Sequence, residues 1–256
     1  MLTNLQQQPA DALLALIKLH NADPRADKID LGVGVYRTDT GATPVFEAIK
    51  AAEKKLLETQ DSKAYLGPEG DMGFVHALMP YVFGPADPAM GGRIEGMQTP
   101  GGTGAVRLAL ALARRAGVTR IWMGTPSWPN HAQIVADLGL ELKTFAHSTA
   151  DGVANMPALR EALGQVQAGD AVLLHGCCHN PTGIDYSHAD WDEIAALLGQ
   201  SAACRSSIWP TRGWGMAWKK MPMARARCWP PCPKPSWPIR ATRTSASIAI
   251  GWARSI

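Results

Sequence analysis

Residues 170–183 read DAVLLHGCCHNPTG, and this stretch decides the fold class of the chain. After Asp170 it continues with an unbroken apolar run over 171–174, which is typical of a parallel strand that is buried on both faces of its sheet. Polar and small residues follow, from His175 to Gly183. Because α/β sheets bind their ligands outside the carboxyl ends of the strands, these residues are candidates for a functional site.

Helices and strands are predicted to alternate on both sides of this strand, which is the pattern of an α/β protein. One helix, over 44–60, has Pro44 in its first turn and is expected to bury its apolar residues Phe46, Ile49, Leu56 and Leu57. Ser187 is predicted to cap the last helix. The other predicted strands are at 119–123, 140–145 and 170–175. Pro9 and Asp11 open a first helix, and further helices are predicted at 71–83, 105–117, 130–138 and 157–163.

The composition changes abruptly near residue 200. Residues 201–256 contain ten Lys or Arg, no Asp or Glu, six of the nine Trp and seven of the nineteen Pro. The first 200 residues hold the other 15 basic and all 22 acidic residues, a net charge of −7. So many prolines argue against a helix or a central strand, and we expect the tail to be disordered.

Several classes of protein are excluded by composition. The sequence has no run of eighteen apolar residues, so no membrane span is expected. The N-terminal segment has neither a basic nor an apolar region of the kind that marks a secretory signal. Two of the five cysteines are adjacent and three lie in the tail, which does not suggest a disulfide framework. A reducing, cytoplasmic location is therefore expected.

The segment QTPGGTGA, residues 98–105, places small residues directly before a predicted helix. Free N–H groups at a helix start, together with the helix dipole, favour an anion. Gly102 and Thr103 could thus hold a phosphate, and the Thr103 hydroxyl would be a further donor. The segment could equally be a simple turn that starts a helix.

Two further segments follow predicted strands. PSWPNH, residues 126–131, carries Trp128, which could stack on a flat heteroaromatic ring or could simply belong to the core. HGCCHNPTG, residues 175–183, carries Asn180. The residue before a proline is held extended, and the Asn180 amide could donate to a phenolate or carboxylate oxygen.

The second segment also contains residue types that bind zinc. Cys177, Cys178, His175 and His179 are all possible ligands. Adjacent cysteines rarely bind one tetrahedral ion, however, and the segment has no C-x-x-C pair. No metal is therefore expected, and the favoured alternative is two small buried thiols.

Taken together, these segments resemble one family, the aspartate and aromatic amino acid aminotransferases, which use pyridoxal phosphate. LGVGVYR (31–37), YLGPEG (65–70), QTPGGTGA, PSWPNH and HGCCHNPTG occur in the order and spacing of that family. The resemblance implies a fold-type I transferase with a three-layer αβα large domain, here incomplete. It implies an N-terminal arm and the start of a small domain at 1–45, a partial cofactor-binding domain at 46–200 and a foreign tail at 201–256.

The resemblance also implies roles for residues that bind the cofactor. Gly102 and Thr103 match the phosphate cradle, and Trp128 matches the residue that flanks the pyridine ring. Asn180 matches the donor to the ring oxygen. Tyr65 resembles the tyrosine that reaches the cofactor phosphate of the partner subunit, which implies a homodimer.

Other matched positions concern the substrate and the residues behind the ring. Gly34 resembles the glycine whose backbone N–H meets a substrate carboxylate, and Trp128 and Asn180 also lie near the substrate in the family. His131 matches a group behind the ring. The implied partners are an amino acid, aspartate or an aromatic one, and 2-oxoglutarate, without nucleic acid or membrane.

The family's later motifs are missing. The family has a V-D-x-A-Y-Q-G segment with the acid opposite the ring nitrogen, and an S-x-x-K-N-F-G-L-Y segment with the Schiff-base Lys. Reading codons from residue 204 onward one base earlier permits L-P-L-V-D-L-A-Y-Q-G and L-V-A-Y-S-C-D-K-N-F-G-L-Y. The Asp would fall at Ile208, the Tyr at Thr211, the Lys at Arg243 and a later Arg at Gly251.

This agreement predicts a frameshift between codons 200 and 204. The chain would then lack the Schiff-base Lys, and no catalytic residue is assigned, because the Arg243 guanidinium cannot replace a free amine. We therefore expect no transamination by this chain. Two alternatives are a non-catalytic fragment that binds pyridoxal phosphate and a basic, Trp-rich tail that binds nucleic acid.

Overall fold

The computed structural model describes residues 12–30, 35–83 and 94–200, together with the short segments 207–208, 240–241 and 250–253. The predictions for Gly34, Thr211 and Arg243 lie outside these residues, as does most of the tail. The chain divides into two compact units, Met1–Ala64 and Tyr65–Ile256. No described helix is long and apolar enough to cross a membrane.

The helices and strands alternate over most of the described chain. The helices are α1 (Ala12–Ala22), α2 (Glu47–Thr59), α3 (Met72–Phe83), α4 (Gly101–Arg115), α5 (Pro129–Asp137), α6 (Met156–Gln165) and α7 (His188–Gln200). The strands are β1 (Ile94–Glu95), β2 (Arg120–Thr125), β3 (Glu141–Ala146), β4 (Asp170–Leu173), β5 (Ser207–Ile208), β6 (Arg240–Ala241) and β7 (Ile250–Ala253).

The first unit contains α1 and α2, and here one prediction is wrong. The apolar residues expected to be buried on α2 are exposed, from 43% for Phe46 to 85% for Leu57, and no residue of this fully described helix is buried. An apolar stripe shows that a helix face is suited to burial. Whether the face is buried depends on a packing partner, which the stripe does not specify.

The second unit is built on parallel strands. Four of them form a sheet in the order β3-β2-β4-β5, and every pair in it is parallel. A second sheet has the order β1-β7-β6 with antiparallel pairs. Three short strands thus lie in the 201–256 range, while the expected disorder of the remaining tail stays a prediction.

Side chains of the parallel sheet alternate between two apolar cores, because successive residues of a strand point to opposite faces. Ile121 and Met123 of β2 face a core formed with α4 and α5. Trp122, between them, faces a core formed with α6 and α7. Helices on both faces of the sheet make the predicted three-layer αβα arrangement.

The predicted helix after the glycines begins four residues earlier than expected. The predicted helix covers 105–117, whereas α4 starts at Gly101 and includes both Gly102 and Thr103. Gly101 has a φ of +64°, a backbone conformation that glycine adopts without the cost that a side chain would bring. The backbone N–H groups of the small residues therefore belong to the first turn of α4.

Candidate functional site

The N-terminus of α4 provides an anion-binding position. Its N-cap is Pro100, which makes no side-chain cap hydrogen bond within the described chain. The first-turn N–H groups of a helix need acceptors, and the helix dipole favours a negative one. The Thr103 hydroxyl adds a donor, and its oxygen lies 3.4 Å from Nδ2 of Asn130 at the start of α5. A phosphate group suits this position.

The loop after β2 places Trp128 beside that helix start. Trp128 is the N-cap of α5, and Pro129 occupies the first position of the helix. The Trp128 ring is only partly buried and contacts the His131 ring edge-on, with centroids 5.2 Å apart. Since Asn130 contacts Thr103, the loop that carries Trp128 lies next to the anion-binding position.

A hydrogen-bonded chain joins this loop to the loop after β4. The Asn180 N–H donates to Nδ1 of His175 at 3.1 Å. Nε2 of His175 lies 3.5 Å from the Ser127 hydroxyl, which lies 3.0 Å from Nδ1 of His131. Because His175 accepts at Nδ1, its proton is on Nε2 and points to Ser127, whose hydroxyl donates to His131. His131 consequently carries its proton on Nε2.

The imidazole rings of this hydrogen-bonded chain are neutral. Burial lowers the pKa of His131 to about 4 and that of His175 to about 2, and neighbouring histidines add to the effect. His131 is buried at the start of α5, and His175 is buried just after β4. Neutral rings can both donate and accept, as the chain of hydrogen bonds requires.

The structure brings most of the predicted site residues together. The Asn130–Thr103 contact joins the start of α4, with Gly102 and Thr103, to the loop that carries Trp128. The hydrogen-bonded chain through His131 joins that loop to Asn180. Tyr65 is fully exposed.

Sequence reasoning missed Ser127 as a link and considered His175 only as a zinc ligand. The i, i+4 spacing of Ser127 and His131 at a helix start was a usable signal, since it brings the two side chains together.

The two cysteines of the second loop form no disulfide, and Cys177 is buried while Cys178 is partly exposed. Within the described residues, no group of three or more His, Cys, Asp or Glu is arranged to hold a metal ion. The histidine rings stack on one another instead, with His175 and His179 centroids 4.1 Å apart. The ring nitrogens of stacked imidazoles point outward in nearly parallel planes, whereas zinc ligands converge on one point.

The parallel sheet between two helical layers is shared with solved aminotransferases, which identifies the fold as that of fold-type I pyridoxal-phosphate-dependent transferases. A solved aromatic amino acid aminotransferase with 3-indolebutyric acid superposes with a TM-score of 0.88 at 33% identity. The match covers 99% of this chain and 66% of that structure. An aromatic-amino-acid aminotransferase of Burkholderia pseudomallei covalently bound to pyridoxal phosphate shares the fold, with a TM-score of 0.89 at 24% identity, over 100% of this chain and 66% of that one.

Sequence relatives agree with the fold. The family model of class I and II aminotransferases matches residues 26–203. The chain is 52% identical to a tyrosine aminotransferase of Rhizobium meliloti, over 78% of this chain and 51% of the relative. It is 44% identical to an aspartate aminotransferase of Escherichia coli, over 77% of this chain and 50% of the relative. The chain belongs to the class I and II aminotransferase family, and it spans about half the length of these curated relatives.

Proposed function

We propose that residues 65–200 bind pyridoxal phosphate as the cofactor-binding part of an aminotransferase for aspartate or aromatic amino acids, with 2-oxoglutarate as acceptor. The observation that carries the proposal is the uncapped start of α4 next to Trp128 and the Asn180 loop. When bound, the cofactor supplies an electron sink for the amino transfer. We also propose a cytoplasmic location.

The residues of the site would divide the work. The N–H groups of Gly102 and Thr103, with the Thr103 hydroxyl, would hold the phosphate. Trp128 would cover one face of the ring and exclude water from it. The Asn180 amide would donate to the ring oxygen, and its backbone N–H is already engaged by His175, which orients the loop. His131 would present its Nε2 proton behind the ring.

Two proposed roles involve positions away from this cluster. The Gly34 backbone N–H would bind the substrate carboxylate. Tyr65 would reach the cofactor phosphate of the partner subunit in a homodimer, and its full exposure leaves the side chain accessible for such a contact.

We further propose that this chain binds the cofactor without turnover, because a frameshift near codons 200–204 places Arg243 where the family has its Lys. The family match ends at residue 203, close to the proposed shift. Position 208, where the shifted frame would encode Asp, lies in β5 and pairs with Leu173 of β4. Since the loop after β4 carries His175 and Asn180, an acid at position 208 would lie near the proposed ring site.

The test compares three chains: the unchanged chain, its Arg243→Lys variant, and a chain from a gene with one base removed at codons 200–204. Each is mixed with pyridoxal phosphate, reduced with borohydride and assayed for amino transfer. We expect reversible binding and no turnover for the unchanged chain. We expect a fixed adduct and turnover for the frame-corrected chain alone.

The Arg243→Lys variant is the matched control, because it adds an amine without correcting the frame and should stay inactive. A borohydride-fixed adduct at one specific Lys of the unchanged chain, accompanied by turnover, would contradict the proposal. So would downstream DNA that encodes no aminotransferase remainder in the neighbouring frame.

A further inference from the structure

Three histidine rings form a continuous stack, which we call the imidazole column. His147, which directly follows β3, lies face to face with His179, with centroids 3.5 Å apart and planes at 8°. His179 in turn stacks on His175, at 4.1 Å and 24°. The hydrogen-bonded chain of the site passes through His175, which is one end of the column, and His147 is the other end.

Both ring nitrogens of His147 are engaged, so its orientation is fixed. Nε2 lies 3.1 Å from the Ile184 carbonyl oxygen, which can only accept, so Nε2 carries the proton. Nδ1 therefore accepts, and the Tyr186 hydroxyl lies 3.1 Å from it. Tyr186 is buried and contacts Trp191 of α7 edge-on, with centroids 5.3 Å apart. The Ile184 carbonyl thus selects the tautomer of the His147 ring, and the Tyr186 hydroxyl holds the ring in one rotation.

His179 is held less completely by hydrogen bonds. Its Nε2–H donates to the Pro126 carbonyl oxygen at 2.8 Å. Its Nδ1 is buried and has no hydrogen-bond partner in the described structure. A single hydrogen bond leaves a ring free to tilt about that bond, so the plane of His179 depends on the two rings that stack on it. His147 is the closer and the more nearly parallel of the two.

The position of His179 matters for both loops. Its backbone is joined directly to Asn180, and its side chain bonds Pro126, two residues before Trp128. The His179–Pro126 hydrogen bond therefore helps to set the spacing between the loop that carries Asn180 and the loop that carries Trp128, together with the longer His175–Ser127 contact. Both of these residues belong to the proposed cofactor site.

We propose that His147, held by Tyr186, is a positioning residue that fixes the ring of His179 and thereby the spacing of Trp128 and Asn180. An apolar side chain could fill the same volume without the need to satisfy buried nitrogens. The use of histidine with two satisfied nitrogens is explained by orientation rather than by volume. The consequence for cofactor binding rests on the proposed function.

The experiment uses the full chain with Tyr186→Phe, which removes only the hydroxyl, and His147→Ala, which removes the stack. The first readout is the imidazole ¹⁵N spectrum without cofactor, assigned by His→Gln substitutions at single positions. We expect Tyr186→Phe to shift the Nδ1 signal of His147, which loses its hydrogen-bond donor, and His147→Ala to shift the His179 signals. The second readout is the Kd for pyridoxal phosphate, which we expect to rise about fivefold in Tyr186→Phe, the effect of one buried hydrogen bond.

The matched control is Ile194→Val, which trims a buried residue of the same core without touching the column. It should lower thermal stability and leave the Kd and the His179 signals unchanged. Unaltered His179 signals in His147→Ala would overturn the proposal. So would a Kd for pyridoxal phosphate that is the same in Tyr186→Phe, in His147→Ala and in the unchanged chain. If the unchanged chain does not bind pyridoxal phosphate, the proposed function fails, and the ¹⁵N spectra alone still decide the role of His147.

Discussion

Among single residues, Asp170 makes the most demanding buried arrangement in the described chain. It is completely buried at the start of β4 and accepts two hydrogen bonds from Arg120, at 2.6 and 3.0 Å. It also accepts from the Trp122 indole at 2.9 Å and from the Gln167 N–H at 3.0 Å. Burial alone would raise the pKa of Asp170, but these bonds outweigh it and hold the pKa below its ordinary value.

Replacement of Asp170 by Asn should therefore destabilise the fold strongly. The change keeps the shape but removes the charge that balances Arg120, and one Asn oxygen position becomes a donor facing other donors. We expect a loss of about 3 kcal/mol in the free energy of unfolding, measured by urea denaturation. Glu193→Gln, at the largely exposed ion pair with Arg160, is the control and should cost less than about 1 kcal/mol. Equal losses in the two variants would contradict this assignment.

At the scale of elements, α7 has the start that its sequence predicts. The Ser187 oxygen accepts from the Asp190 N–H at 3.1 Å, and the Asp190 carboxylate accepts from the Ser187 N–H at 2.7 Å. This reciprocal pair satisfies two backbone donors that a helix start leaves open. The prediction that Ser187 caps the helix is confirmed.

Ser187→Ala should remove half of this cap. We expect the free energy of unfolding to fall by about 1 kcal/mol, because the Asp190 N–H then has no side-chain acceptor at position 187. Urea denaturation is the measurement, and Ser187→Thr, which keeps a hydroxyl, should lose at most a few tenths of that value. A Thr variant as unstable as the Ala variant would show that the hydroxyl is not the cause.

At the scale of the whole molecule, the buried histidines make stability depend on pH. Desolvation lowers the folded-state pKa of His131 and of His179 to about 4, and that of His175 to about 2. An unfolded histidine titrates near 6.5, so between pH 6.5 and 4 the unfolded state binds more protons than the folded state. Stability is then complete above pH 6.5 and is lost as the pH falls through this window.

The expected slope is about 1.4 kcal/mol per pH unit for each such histidine. Urea denaturation at pH 7.0, 6.0 and 5.0 measures it, in a range where most carboxylates stay ionised and contribute little. His179→Gln should reduce the slope by one histidine's share. A flat profile between pH 7 and 5 would mean that these rings are accessible to protons in the fold.

Much of the fold could be predicted from local pattern. The strand over 170–173 and the helix starts at Pro129 and Ser187 follow from apolar runs, proline positions and caps. The burial of α2 could not be predicted in this way, since Leu56 and Leu57 look apolar in sequence and lie exposed in the structure. The start of α4 at Gly101 was also missed, because glycine has a low helix propensity and its placement depends on context.

The sequence by itself determined the family, the sheet's central strand and the residues that could hold a phosphate and a ring, because these depend on short motifs of local backbone and side-chain chemistry. The tertiary structure alone decided that Ser127 and His175 connect Asn180 to His131, and that His147 stacks on His179. These residues come from the ends of β2, β3 and β4, and only parallel pairing of the strands brings the three ends to one edge of the sheet. Tautomers, pKa values and ring orientations arise from that convergence, so no single segment of sequence contains them.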